Sequence, residues 1–335
     1  MEGYSLNQWL LFFFIYCFVG WIWESCYVSV KSKKWINRGF LRGPMLPIYG
    51  FGTIIILIAT IPVRSNIFLV FIFGMVAATT LEYFTGVLME KIFHVRYWDY
   101  SDEAFNFQGH ICLLCSVAWG AFSILMVKVI HPPIEYVVLL IPELICEIII
   151  LCIIVAFTID IVQSVNDALD LKDTLARITE GRETVKHIKK RLEVMAAFIN
   201  EDVKEIEEKF KEKVFINQEK SELRKLSRRQ VFEKNLEKSN SRKAEVLELM
   251  SENINKYIGK LENVADKSTQ QYEKFKAELI EYLAKIKKQE NHVSKMENKA
   301  FVHSINILRR NPGAMAKKYE EAMNEVKDLE KGQDI

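Results

Sequence analysis

Five apolar runs fall within the first 165 residues, at Leu6–Val28, Pro47–Ile61, Asn66–Met89, Ile111–Ile130 and Tyr136–Val162. No other feature restricts the fold so strongly. Hydrocarbon offers no water to backbone N–H and C=O groups, so a segment crossing it must satisfy them internally, as a helix or within a closed barrel. About 20 apolar residues span the hydrocarbon as a helix. The runs therefore predict an all-α, polytopic membrane bundle of about five transmembrane helices. The second run is the shortest, and a tilted or partly re-entrant course is open to it. A signal peptide carries positive charge before its apolar core. Here only Glu2 precedes the first run, so that segment is expected to remain as an anchor.

Composition changes sharply near Ile161. Residues 1–164 carry 9 of the 45 Lys and Arg residues, leaving 36 for the rest, and they hold all six Trp and all six Cys. The net charge of +2 thus averages a greasy half with a densely charged one. Neither has the one-sided charge of a nucleic-acid binder. The link after the first run carries Lys31, Lys33, Lys34, Arg38 and Arg42, whereas Pro62–Ser65 offers Arg64 alone and His131–Ile134 no Lys or Arg. By the positive-inside rule the N-terminus lies outside and the C-terminus inside, with the links after the first and third runs cytoplasmic.

Between the first two runs lies NRGFLRGPMLPIYGFG, residues 37–52, with four glycines, two prolines, two arginines and an asparagine. Glycine reaches backbone angles closed to other residues and proline lacks the N–H of a regular helix, so this is a shaped elbow built on Gly39, Gly43, Pro44, Pro47 and Gly50. Arg38 and Arg42 either point at an anionic group or touch lipid phosphates.

Ionisable residues inside spans are costly, so they face the bundle interior, find partners and often mark function. Glu24 ends the first run, Glu82 and Glu90 occupy the third and its inner end, and the elbow supplies arginines. A carboxylate–guanidinium network at the cytoplasmic mouth follows. It is either a brace or the wall of a polar pocket shared with Asn37, Tyr49, Trp98, Asp99, Tyr100, Asn106 and His110. Glu143 and Glu147 stand four apart on one helix face and suggest proton or cation handling, or hydrogen bonding between protonated acids.

Cys112 and Cys115 form a C-x-x-C without a second pair and read as buried and inert. The sequence shows no catalytic signature, metal-ligand set or cofactor motif, and no G-x-x-x-x-G-K-[ST] loop to cradle nucleotide phosphates. Any ATPase would be a separate polypeptide. Beyond residue 165 apolar residues recur at three and four: Ile178, Val185, Ile188, Leu192, Met195, Ile199, Val203, Ile206 and Phe210, then Ile254, Ile258, Leu261, Tyr272, Phe275, Leu279, Tyr282, Ile286 and Val293. This is a coiled-coil pattern, a hairpin or a parallel homodimer. The basic cluster Arg224, Lys225, Arg228 and Arg229 is a solvated face or a contact for anionic lipid. His187, His292 and His303 read as incidental. Three regions result: 1–164 the bundle, 165–310 a cytoplasmic coiled coil or hairpin, and 311–335 an Asn-Pro turn and short helix.

GWIWE, NRGFLRGPMLPIYGFG and YWDYSDEAFNFQGHICLLCSVAWG resemble the bacterial family called putative ABC-transporter type IV, permease-like membrane proteins, over roughly residues 6–165. INILRRNPGAMAKKYEEAMNEVK is similar to the Asn-Pro segment that ends many members. Carried over position by position, the motif residues are Glu24, Asn37, Arg38, Gly39, Gly43, Pro44, Pro47, Tyr49, Gly50, Glu82, Glu90, Trp98, Asp99, Tyr100, Asn106, Gly109 and Cys112. The resemblance implies a multi-pass protein of the bacterial plasma membrane acting as a permease-like component for an unidentified solute. Two other functions fit the residues: an enzyme or binding protein for an anionic lipid or lipid-linked substrate, and a membrane-anchored coiled-coil scaffold.

Overall fold

A computed structural model describes residues 3–198, 228–262, 270–294 and 298–331. Two compact units emerge, one of Met1–Lys172 with Val302–Glu320, the other of Asp173–Phe301 with Glu321–Ile335.

In the first unit, α1 (Leu6–Ser32) opens on a capping box in which Ser5 and Gln8 satisfy each other's backbone N–H. Its 27 residues extend about 40 Å. The elbow follows. Pro47 then starts α2 (Pro47–Thr60) at the first helical position, where its missing N–H is harmless. Asn66 caps α3 (Ile67–Phe93) by accepting from the N–H groups of Phe68 and Leu69. Cys112 caps α4 (Leu113–Leu125) through its sulfur.

Two expected boundaries move. A link was expected at His131–Ile134, but the chain passes from α4 through a π-helical turn at Met126–Ile130 into α5 (His131–Leu139). Pro132 and Pro133 fall in the first turn of α5, where their absent N–H groups break little, and the wider π turn makes room for the rings. Tyr136 therefore belongs to this helix, and α6 (Glu143–Phe198) begins after Pro142. Among the described residues, helices long and apolar enough to cross a membrane lie at Leu6–Ser32, Ile67–Phe93, Leu113–Leu139 and Glu143–Ile188, four where five were expected. The 14 residues of α2 reach only about 21 Å, short of the roughly 30 Å of hydrocarbon.

The core of this unit joins Phe12, Phe14 and Tyr16 of α1 to Ile56 and Leu57 of α2, Val70 and Ala78 of α3, Met126 and Val138, and Cys146 and Ile150 of α6. Close approach of α1 and α2 rests on Gly20, where a β-carbon would stand 2.3 Å from the Tyr49 ring. Large apolar side chains also cover the outside: Phe68, Phe84, Leu144 and Leu151 are each at least 65% exposed. An apolar surface this extensive suits lipid and not water.

In the second unit, α7 (Arg228–Glu262) and α8 (Gln270–Ser294) pack together, and Leu247, Met250, Ile254, Leu279, Tyr282 and Ile286 bury around Ile188 of α6. Lys243 and Arg182 pair with Glu325 of α10 (Glu320–Lys331). Of the expected seam, Ile199, Val203, Ile206 and Phe210 lie outside the described residues, as do Arg224 and Lys225 and the side chains of Leu192, Met195, Leu261, Tyr272, Phe275 and Val293, together with those of Arg228, Arg229 and His292.

Candidate functional site

The elbow is held by its own side chains and by α6. Asn37 accepts from Trp21 Nε1 at 2.6 Å and donates to the Arg42 carbonyl at 2.7 Å, closing the loop on itself. Gly39 sits at φ +130°, strained for any residue with a β-carbon. Asp160 of α6 then receives two successive backbone N–H groups, from Arg42 at 3.0 Å and Gly43 at 2.8 Å. Arg42 places its guanidinium fork on Asp167, at 2.9 and 2.5 Å. The Asp167 pairing holds the Arg42 guanidinium even more firmly protonated than usual.

Within the first unit, residues 302–320 close over this elbow. The end of α9 (Asn298–Arg310) brings Arg310 Nη2 to 3.0 Å from Asp167, whose side chain is 1% exposed. Burial makes the Arg310 guanidinium easier to deprotonate than usual, and Asp167 opposes that trend. Its Nε and the nearby Tyr97 hydroxyl are buried without a hydrogen-bond partner. Asn311 accepts from Arg38 Nη1 at 3.2 Å and donates to the Gly39 carbonyl at 2.9 Å. Met315 pairs with Arg96 through two backbone hydrogen bonds, and Lys317 reaches Ser101 at 2.9 Å and Asp99 at 3.4 Å. His303, expected to be incidental, meets Asp170 at 2.9 Å.

A second set of contacts crosses the bundle. Arg38 lies 3.7 Å from Glu24, and Glu24 accepts from the Tyr49 hydroxyl at 2.9 Å. The Tyr49 ring stands 6.2 Å from Trp119, whose Nε1 donates to Glu82 at 2.9 Å. Tyr100 donates to the other Glu82 oxygen at 3.1 Å. Arg38, Glu24, Tyr49, Trp119, Glu82 and Tyr100 thus form one line through α1, α2, α3 and α4.

The loop from His94 to Cys112 folds around Arg96. Its guanidinium donates to Glu90 at 2.7 Å, to Asp99 at 3.2 Å and to the Gln108 carbonyl at 3.0 Å. His110 meets Glu90 at 3.1 Å. Burial, and then the Arg96 charge, keep the His110 imidazole neutral to lower pH than usual. Burial resists ionisation of Asp99, yet the Ser101 hydroxyl, Lys317 and Arg96 together hold its carboxyl below the usual range. Trp98 donates to the His110 carbonyl, and Asn106 closes the turn through Ser101, Glu103 and Gly109.

Residues 11–165 match the family described as putative ABC-transporter type IV. The match takes in the elbow, the polar line, the loop around Arg96, and Asp160 with Ser164. Asp167, Arg310 and Asn311 fall beyond it. No curated protein and no solved structure matches the chain. With four apolar helices of spanning length, the family match makes this a multi-pass membrane protein.

The predicted residues divide among the elbow, the polar line and the loop around Arg96, and three of the expected pairings differ. Arg42 was expected to meet Glu24 or Glu82 and instead binds Asp167. Glu82 was expected to face an arginine and instead takes the Trp119 and Tyr100 donors. Glu143 and Glu147 were expected to face inward, yet both are exposed, and Glu147 accepts from Asn7 at 3.3 Å. On α6 it is Cys146, and not the carboxylates, that turns to the core. Sequence reasoning missed Asp160, Asp167, Arg96, Arg310 and Asn311. Asp160, Ser164 and Asp167 recur at four and three, one helical face, which was the available signal. Among the described residues, no group of three or more His, Cys, Asp or Glu side chains is placed to hold a metal ion.

Proposed function

We propose that the chain is the membrane component of a permease-like transporter, lying in a bacterial plasma membrane with the elbow on the cytoplasmic side and the polar line from Arg38 to Tyr100 lining the solute route. The observation that carries this is the line itself. Two carboxylates and a guanidinium sit among apolar helices, where ionisable groups persist when they serve a pathway or a site. Glu82 is the residue assigned to the solute, because both its donors come from neutral side chains and, among the described residues, no lysine or arginine is paired with it.

The chain carries no nucleotide-binding loop, so an energy-supplying ATPase would be a separate partner, as the family description suggests. Purification of the tagged protein from its native membranes in mild detergent tests this. Co-eluting ATP hydrolysis is the expected result; an intact chain that elutes without it in several detergents contradicts an ATPase-driven transporter. The anionic-lipid alternative is weakened by pairing, since Arg42 is committed to Asp167 and Arg38 to Glu24 and Asn311. A parallel dimer through the helices after residue 172 is not needed to bury Leu247, Met250 and Leu279, which pack within one chain.

A further inference from the structure

A second polar cluster lies at the end of the bundle away from the elbow, and nothing above uses it. His131 is 2% exposed and Tyr16 1%. The Tyr16 hydroxyl stands 2.7 Å from His131 Nδ1, and the Tyr4 hydroxyl 3.3 Å from Nε2. Tyr4 also donates to Glu135 Oε1, and Glu135 Oε2 lies 3.6 Å from Arg64. The histidine follows directly on the π-helical turn, an irregularity often found at functional sites.

Donor counting orients this chain. A hydroxyl has one proton to give. Tyr4 gives its proton to Glu135, so its oxygen accepts, and His131 must carry the proton on Nε2. In the neutral ring Nδ1 is then a lone pair that takes the Tyr16 proton. In the imidazolium, Nδ1–H donates to the same Tyr16 oxygen. Each ring nitrogen therefore has a partner in both protonation states. A proton also has a route out. As Nε2–H passes its proton to the Tyr4 oxygen, Tyr4 passes its own to Glu135; imidazolium and carboxylate become the Nδ1–H imidazole and a carboxylic acid. Tyr4 keeps one proton, now donated to Nε2, so that ring and hydroxyl must turn back to the Nε2–H arrangement before the next transfer. The Glu135 and Arg64 side chains are 22% and 41% exposed, so the far end of the chain is open to solvent.

We propose that Tyr16, His131, Tyr4 and Glu135 form a proton-exchange site at this end of the bundle. The charged groups facing the ring are Glu135 from its own helix and Arg64 from the turn after α2, while α1 contributes Tyr16 and the segment before it Tyr4. Lys128, in the π-helical turn, is engaged by the Arg64 carbonyl at 2.7 Å. The site stands independently of the solute route proposed above.

The test is ring-nitrogen NMR of the full chain in lipid nanodiscs with labelled histidine, the His131 signal being assigned as the one lost in His131→Gln. The expected result is a reversible titration of that ring between about pH 4 and 9, with a midpoint that moves in opposite directions in Glu135→Gln and Arg64→Gln, each by about half a pH unit or more. Tyr4→Phe, which cuts the hydroxyl link, should shrink the Glu135→Gln displacement. A ring that stays in one state throughout, or a midpoint that ignores both charge changes, overturns the proposal. Should Glu135→Gln fail to accumulate, Arg64→Gln on its half-exposed side chain decides alone.

Discussion

Asp167→Asn isolates the clamp that fixes the elbow. The side chain is 1% exposed and takes Arg42 at 2.9 and 2.5 Å and Arg310 at 3.0 Å. The variant keeps the shape and removes the charge. Arg42, 38% exposed, is left near water and loses little, because exposed ion pairs contribute about 0–1 kcal/mol. Arg310 is different: 10% exposed, it keeps a buried positive charge without its counter-ion. Removing one partner of a buried pair costs about 3–5 kcal/mol. For a unit of this size each kcal/mol lowers the melting temperature by about 2–4 °C, so the expected loss is about 6–20 °C. Thermal unfolding in detergent measures it. Adding Arg310→Leu should recover at least half of the loss, since a buried pair replaced by apolar side chains is close to neutral. A single variant that melts within about 1 °C of the wild type, or a double variant that melts lower still, refutes the assignment of Arg310 as the stranded charge.

Four further outcomes follow from the geometry. Gly20→Val should destabilise by about 1–3 kcal/mol or more, because its β-carbon meets the Tyr49 ring; a melting curve like that of the wild type contradicts the α1–α2 contact. Gly39→Ala should cost about 1–3 kcal/mol through its φ of +130°, measured the same way. Asp99, with its carboxyl depressed in the folded state, stabilises the loop above the unfolded carboxyl range and loses that contribution as pH falls through the folded value. Amide exchange across residues 96–110 should accelerate with acid in the wild type and change less in Asp99→Asn. Glu143→Gln with Glu147→Gln should leave stability unchanged, because both carboxylates are exposed.

The helices were legible because apolar length is a local property. Their ends depended on tertiary detail: the Pro132–Pro133 pair reads as a stop until the preceding π turn accommodates it. The elbow and the loop around Asp99 were legible because glycine, proline and asparagine announce their turns directly. Partners were harder. Arg42 binds Asp167, 125 positions away, and Asn311 binds Gly39, 272 positions away; no local pattern encodes such pairings. The return of residues 302–320 to the first unit was foreshadowed only by the Asn-Pro motif. His131 was overlooked because two prolines beside it suggested an exposed link.

The central claim is that the line from Arg38 to Tyr100 is a working site and more than a brace. Glu82→Gln addresses it most directly, since the amide oxygen can still accept from Trp119 or Tyr100 while the ionisable group is gone. The measurement is rescue of cells lacking the native copy, with membrane abundance and melting temperature read in parallel. The account predicts normal accumulation, melting within a few degrees of the wild type, and failure to rescue. Full rescue at normal abundance would contradict it.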